Sequence, residues 1–343
     1  MKSVEVVMVD KNKLELQEEK IDEHKIKGNE ILIKNLYSVI SAGTELANYT
    51  ALDKGVWEKG SWNAYPYIPG YGAVGEVVSV GKDNSSRLTA GEKVFYIGKH
   101  VSLERYDRGF WVKPPEGISL QEAAFLRMGM VAMTALNRAE FLPGNTVVVV
   151  GLGVIGNIAA QLFSIAGCDV IGLDLSEKRV QLARQCGVKH TANLSGKQAV
   201  DFVMEITKGQ GADVAVEAVG DSRICENTIN MVKKLGEMLI LGSPRADYQT
   251  DLTPFLRKIH LEWVTVKGAL EWCVPDYPAT GFKHSLQSNY LRLCDFVSKK
   301  KLNVKPLISH VIPARKADKA YEGLLNKKDE YVGVLLDWTK EVL

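Results

Sequence analysis

The segment TVVVVGLGVIGNIAAQLFSIAGCDVIGLD, residues 146–174, changes its backbone period twice. Val147 to Val150 form an uncharged apolar run, as a strand covered on both faces requires. Past Gly151-Leu152-Gly153-Val154-Ile155-Gly156, the apolar residues Ile155, Ile158, Ala159, Leu162, Phe163 and Ala166 recur at helical spacing, and Gly167 stops the helix. A second apolar strand, Asp169 to Leu173, then delivers Asp174. Strand, glycine turn, helix, strand and acid fall within about 30 residues, the length of one βαβ unit that holds a dinucleotide.

Each part of that turn has a physical task. Gly151 permits the tight bend, Gly153 lets a pyrophosphate approach the main chain, and Gly156 lets the helix lie close on the strand. Val154 and Ile155 offer first-turn N–H groups. Asp174 is placed to accept from both ribose hydroxyls and to repel a 2′-phosphate, which predicts NAD over NADP. Arg179, in the helix that follows, joins the expected cofactor set, with Ala218, Gly220, Gly242 and Ser243 at later strand ends. Asp174 also has a plain structural reading as a cap for the helix over 176–186, although Ser176 is better placed for it.

Bulk properties narrow the function classes. With 343 residues, 46% of them apolar, the chain has room for two cores. Its 43 basic and 41 acidic residues nearly cancel, which gives no electrostatic reason to expect nucleic acid or an anionic membrane as partner. The five cysteines (Cys168, Cys186, Cys225, Cys273, Cys294) are odd in number and too scattered for a metal clip, so reduced thiols in a cytoplasm are expected. The N-terminal residues lack the pattern of a secretion signal. Residues 146–168 carry no charge, but four glycines, Asn157 and Gln161 speak against a membrane span.

From Val4 to about Lys113 short strands and turns predominate, predicting a β-rich, partly barrel-like domain. Pro114-Pro115 ends it, and an apolar helical segment over 119–141 leads into the glycine-turn unit. Helices then alternate with strands: helix 176–186, a strand near His190, helix 198–207, strand 213–219, helix 222–234, strand 237–241 and a candidate strand over 261–267. That alternation specifies a doubly wound parallel sheet. The remaining pieces, helices over 285–300 and 315–326 and the strand 331–336, are expected to return to the first domain. The predicted division is 1–126, 127–268 and 269–343.

These landmarks resemble the medium-chain dehydrogenase/reductase superfamily over nearly the whole chain. They are Ser41-Ala42-Gly43-Thr44-Glu45, the run from Pro69-Gly70-Tyr71-Gly72 to Gly81, Ala90-Gly91-Glu92-Lys93-Val94, Pro143-Gly144-Asn145 and the nucleotide turn. The resemblance implies an α/β architecture in which a discontinuous GroES-like catalytic domain stands beside a Rossmann domain, with the active site in the cleft between them. Zinc enzymes of the superfamily look like Cys-Gly-Thr/Ser-Asp in the first motif and Gly-His-Glu in the second, with a further Cys or Glu before the Rossmann strand. Here those positions read Ala42, Tyr71 and, counting back from Pro143, Leu126. Neither alanine nor leucine has a lone pair to give, and no cysteine precedes Cys168 to build a structural zinc lobe, so no metal is expected. The short motifs resemble a metal-poor branch that includes bacteriochlorophyllide hydroxyethyl dehydrogenases and sugar or cyclitol oxidoreductases.

Without a metal, side chains must steady the substrate oxygen and move a proton. The resemblance puts Thr44 where relatives relay the proton, with Glu45 beside it, and Tyr71 where its phenol can reach the substrate oxygen. His100 is the expected proton exchanger, because histidine titrates near neutral pH. Each has a structural alternative: Thr44 as cap of a helix starting at Glu45, Glu45 as an ion-pair partner, Tyr71 as a void filler, His100 as an ordinary hydrogen-bonded histidine. Trp57, Trp62 and Tyr65 crowd one loop and are candidates to stack on a sugar or planar substrate, or to pin that loop, while Trp272 is a candidate for the opposite wall.

The expected activity is a zinc-independent, NAD-dependent oxidation of a secondary alcohol, with a sugar, amino sugar or cyclitol as substrate and a homodimer as assembly. The rivals are an NAD(P)H-dependent quinone or enone reductase and a catalytically inactive nucleotide-binding protein.

Overall fold

The computed structural model describes residues 1–341, and the chain divides into two compact units. The first comprises Met1–Arg127, Pro275–Ser298 and the segment from Ile308 onward; the second comprises Met128–Val274 and Lys299–Leu307. The 19-residue helix Leu120–Arg138 contains the change from one unit to the next.

In the first unit the strand Ile31–Val39 pairs antiparallel with Ala73–Val80, which pairs with Lys93–Tyr96. On the other side of Ile31–Val39 lie Gly333–Asp337 and then Ile308–Pro313, so the C-terminal residues complete a seven-stranded sheet begun near the N-terminus. A separate hairpin, Lys2–Asp10 with Lys13–Lys20, reverses at Asn12, a residue that tolerates the positive φ of 56° it adopts. Val4, Val6 and Met8 of that hairpin share a core with Ile40, Tyr321, Leu336 and Trp338. The helix Leu286–Ser298 is anchored by Tyr290, whose ring stacks on Phe95 with centroids 4.1 Å apart and whose hydroxyl donates to the carbonyl of Ala123.

The second unit is a six-stranded, all-parallel sheet in the order His190–Ala192, Asp169–Leu173, Thr146–Val150, Ala212–Glu217, Val232–Ile240, Thr265–Gly268. Numbered along the chain this is 3-2-1-4-5-6, the doubly wound nucleotide-binding order, with its switch point between Thr146–Val150 and Ala212–Glu217. Val147, Val148 and Val149 are completely buried, as the apolar run predicts.

Three details depart from the sequence reading. The helix expected over 222–234 ends at Ile229, because Met231 N–H turns back to the carbonyl of Thr228 and the next strand begins at Val232. Residues 261–262 end the helix Thr253–Glu262, and the edge strand is confined to Thr265–Gly268. The return to the first unit comes at Pro275 rather than 269, and Lys299–Leu307 stays with the second. Asn303 holds it there, donating its N–H to Gln161 Oε1 at 2.8 Å and accepting from Gln161 Nε2 at 3.2 Å. Among the described residues no helix is long and apolar enough to cross a membrane.

Candidate functional site

The glycine turn leaves the C-terminal end of the central strand Thr146–Val150 and enters the helix Val154–Ile165, whose N-cap is Gly153. Gly151 has φ +95°, and a Cβ there would lie 2.7 Å from Val219 Cγ2. A Cβ on Gly156 would lie 1.7 Å from the carbonyl oxygen of Gly151, so glycine is what allows the helix to seat on the strand. Around Gly153 a Cβ would meet nothing within 4 Å: the main chain is open on this side, beside the first-turn N–H groups of Val154 and Ile155.

Asp174 is 9% exposed and ties the turn together. Its Oδ2 accepts from Leu152 N–H at 2.7 Å and its Oδ1 from Ser176 N–H at 2.8 Å, while Arg179 Nη1 stands 3.7 Å from Oδ2. A carboxylate has about four acceptor sites, of which these backbone N–H groups take two. Ser176 caps the helix Glu177–Gln185 by accepting from Arg179 N–H. Beyond the neighbouring strand, Ala218 and Gly220 face Gly242 and Ser243: a Cβ on Gly242 would come within 2.2 Å of Gly220 N. Glu217 fixes this corner, its Oε1 accepting from the N–H groups of Val219 and Gly220 at 2.7 and 2.9 Å. Burial raises its carboxyl above the ordinary value.

In the first unit, the helix Ala42–Tyr49 has Ser41 at its N-cap, so Thr44 lies within the first turn and is not a cap. Glu45 Oε1 reaches back to accept Ser41 N–H at 2.8 Å, a relative of the capping box. Glu45 Oε2 meets His100 Nε2 at 3.0 Å and accepts from the Tyr321 hydroxyl. Burial, and then the charge of Glu45, hold the Tyr321 phenol well above its ordinary range, so it stays a donor. His100 Nδ1 lies 2.8 Å from Ser38 Oγ, which also accepts from Trp338 Nε1 at 2.8 Å.

The contacts form one chain. Trp338 Nε1 donates to Ser38 Oγ, Ser38 Oγ meets His100 Nδ1, and His100 Nε2 meets the Glu45 carboxylate. His100 is 0% exposed with both ring nitrogens engaged, the geometry of the hydrogen-bonded alternative rather than of a ring open to a substrate. Among the described residues it joins segments as remote in sequence as Ser38 and Trp338.

Tyr71 joins that network through Ser41. Its hydroxyl donates to Ser41 Oγ, its carbonyl accepts from Arg127 Nε at 2.8 Å, and the Arg127 guanidinium carbon stands 4.5 Å from its ring centroid. Arg127 is completely buried and is the residue the sequence reading missed. Counting back from Pro143 led to its neighbour Leu126, but the helix turns Arg127 toward Tyr71. Gly72 makes room, since a Cβ there would lie 2.3 Å from Arg127 Cγ.

This donor set does not fit zinc. Ala42 has no donor, Glu45 is committed on both oxygens, and Tyr71 offers only a phenol that already donates to Ser41. Among the described residues no three His, Cys, Asp or Glu side chains converge in a set able to hold a metal ion.

Trp57 and Trp62 are strongly exposed, yet their rings pack edge-on against Tyr65 and Tyr67 at 5.2 and 6.2 Å. Asn48 Nδ2 donates to the Tyr67 hydroxyl and Asn63 Nδ2 to Asn48 Oδ1, so the loop is pinned from beneath. Trp272, in the second unit, is also exposed.

A family model described as zinc-binding dehydrogenase matches residues 154–279. That segment contains none of Ala42, Tyr71 or Arg127. Sorbitol dehydrogenase of Bacillus subtilis is 25% identical over 71% of this chain and 77% of its own length. D-xylulose reductase of Saccharomyces cerevisiae is 29% identical over 63% and 57%, and D-guloside 3-dehydrogenase of Escherichia coli 28% identical over 58% and 62%, so the matched stretch spans less than two thirds of either. Among solved structures, a zinc-dependent alcohol dehydrogenase from Streptococcus pneumonia superposes with a TM-score of 0.83 at 18% identity, over 99% of this chain and all of that one. A 2R,3R-butanediol dehydrogenase from Bacillus subtilis gives 0.77 at 19%, over 98% and 99%. The 3-2-1-4-5-6 sheet, its glycine turn and the discontinuous β-rich unit are the architecture of the medium-chain dehydrogenase/reductase superfamily, and the relatives this chain is similar to are oxidoreductases acting on alcohol groups.

Proposed function

We propose that the protein is a zinc-independent dehydrogenase that interconverts a secondary alcohol and its ketone on a sugar, amino sugar or cyclitol, with NAD as its preferred coenzyme. The nicotinamide, when bound, supplies or accepts the hydride. The observation that carries the metal-free part is the buried Arg127 guanidinium against Tyr71, a positive charge already built into the site. The preference for NAD rests on Asp174, whose carboxylate faces the turn and disfavours a 2′-phosphate. The substrate class rests on relatives named for sorbitol, D-xylulose and D-guloside.

In this reading the cofactor lies along Gly151, Gly153, Val154, Ile155 and Gly156, with Asp174 and Arg179 at its ribose and Ala218, Gly220, Gly242 and Ser243 along its far side. Tyr71 holds the substrate oxygen, and Thr44, in the adjacent first turn, is a second hydroxyl for the proton path. Glu45 and His100 are positioning residues that fix the helix bearing Ser41 and Thr44. The exposed faces of Trp57 and Trp62, backed by Tyr65, and that of Trp272 suit stacking on a sugar ring.

The test is a panel of polyols, amino sugars, quinones and enones, assayed with NAD and NADP by nicotinamide absorbance. Turnover of a polyol with NAD is expected; activity confined to quinones or enones would replace this reading with a reductase, and NADH binding without any turnover with an inactive binding protein.

We also propose a cytoplasmic homodimer. Leu235, Leu256, Leu261 and Trp263 are exposed around the outermost strand Thr265–Gly268, a sheet edge that a second copy would cover. Light scattering that gives a monomer mass would dismiss the dimer.

A further inference from the structure

We infer that Ser41, Tyr71 and Arg127 form a hydroxyl, phenol and guanidinium proton device, in which the arginine charge stabilises the phenolate that Tyr71 becomes on giving its proton to the substrate oxygen. This rests on the dehydrogenase reading above and names the groups that replace the metal.

The geometry is specific. The guanidinium is in contact with the Tyr71 residue twice, 4.5 Å from the ring centroid and 2.8 Å from the carbonyl oxygen, so ring and cation cannot drift apart independently. Arg127 is fully buried, and its guanidinium is a planar group of fixed geometry. Gly72 is the clearance that allows this approach. Ser41 Oγ accepts from the phenol and has its own hydrogen to return when the phenol becomes phenolate. Ser41 is also the N-cap of Ala42–Tyr49, so its place is fixed by the helix start and by Glu45.

In ketone reduction the carbonyl carbon receives hydride, the electron pair of the C=O π bond moves to oxygen, and the Tyr71 O–H bond breaks as its proton passes to that oxygen. The phenolate is held by Arg127 and by the Ser41 hydroxyl, now a donor, until a solvent proton restores it. Ketone, reduced nicotinamide and one proton give alcohol and oxidised nicotinamide. Alcohol oxidation runs the same steps backward. Arg127 acts through Tyr71 and is a positioning residue.

The experiment follows the 12 tyrosines by ring-carbon NMR on the full chain, with the Tyr71 signal identified by its loss in Tyr71→Phe. Tyr71 should titrate about one to two pH units lower in the wild type than in Arg127→Gln, with Arg127→Lys keeping more than half of the displacement. Gly72→Ala, which retains the cation but drives it from the ring, should raise the titration as Arg127→Gln does and serves if that variant does not fold. The upper inflection of the pH profile of kcat should move by the same amount, with KM within about threefold. Equal titration of Tyr71 in wild type and Arg127→Gln, with alcohol oxidation intact, would overturn the device alone. A normal displacement in a protein that oxidises no alcohol would overturn the functional reading and leave the coupling standing.

Discussion

Arg127 and Tyr71, 56 residues apart in sequence, meet through a guanidinium over a phenol ring at 4.5 Å and a hydrogen bond of 2.8 Å to the same residue's carbonyl. In the function proposed above, a fixed cation over the phenol ring would give the first unit a place where negative charge on oxygen is tolerated. Removing only the phenol oxygen should therefore reach the chemistry without harming the fold. Tyr71→Phe is expected to lower kcat by about a hundredfold or more, with NADH binding unchanged. Steady-state kinetics and fluorescence titration check both halves.

Asp174 ties the turn together and, in the function proposed above, would also accept from the ribose hydroxyls. Replacement by Ala releases the N–H groups of Leu152 and Ser176 and removes the acceptor for the ribose hydroxyls. Affinity for NADH should fall at least about tenfold, while NADPH loses less, so that the preference between the two narrows. Parallel titrations with both coenzymes measure it.

The two glycines of the turn should separate folding from binding. Gly156→Ala forces a Cβ to within 1.7 Å of a backbone oxygen, which cannot step aside cheaply, and should cost about 1–3 kcal/mol as well as coenzyme binding. Gly153→Ala, facing open space, should leave the melting temperature near that of the wild type and weaken NADH binding alone. Thermal melts with and without NADH distinguish the two.

His100 offers a choice between roles. As the centre of a buried network linking Ser38, Glu45 and, through them, Trp338 and Tyr321, it should cost about 1–3 kcal/mol when replaced by Ala, because Glu45, which keeps Ser41 N–H and the Tyr321 hydroxyl, loses one donor and Ser38 loses its ring partner. Urea unfolding checks this. Unchanged stability with lost turnover would return His100 to the proton path.

Glu104 makes stability depend on pH in a defined direction. It accepts from Lys99 N–H at 2.9 Å and the Tyr96 hydroxyl at 3.1 Å, and burial pushes its carboxyl up from 4.5 to about 7. The folded protein keeps a proton that the unfolded chain has released, so this group's contribution is fully present below pH 4.5 and is lost as pH rises through about 7. The loss is at most about 3 kcal/mol. Glu104→Gln should flatten the decline seen between about pH 5 and pH 8 in urea unfolding.

The second unit was legible because its information is local. Gly151, Gly153, Gly156 and Asp174 lie within one βαβ unit, and the valine run specifies a strand whatever surrounds it. The helix Thr253–Glu262 was missed because its core-facing stripe is short, Phe255 and Ile259 only partly buried, while Leu256 and Leu261 are exposed and blur the pattern. In the first unit the decisive contacts are long-range. Nothing near His100 announces Ser38 or Glu45, and nothing near Ser38 announces Trp338, so a histidine in a fully satisfied core reads from sequence like one free to titrate. Tyr71 was recognisable from its motif, whereas Arg127 was hidden by a count that ended one residue short; only the direction in which the helix turns its side chain reveals it.

The central claim, that an arginine-supported phenol does the work of a metal, is tested most directly by assaying one preparation for polyol oxidation with NAD before and after exhaustive dialysis against a zinc chelator, with metal content measured on both samples. Activity that persists unchanged in protein holding far less than one zinc per chain is the predicted result. Activity that disappears with a stoichiometric zinc and returns when zinc is restored would contradict it.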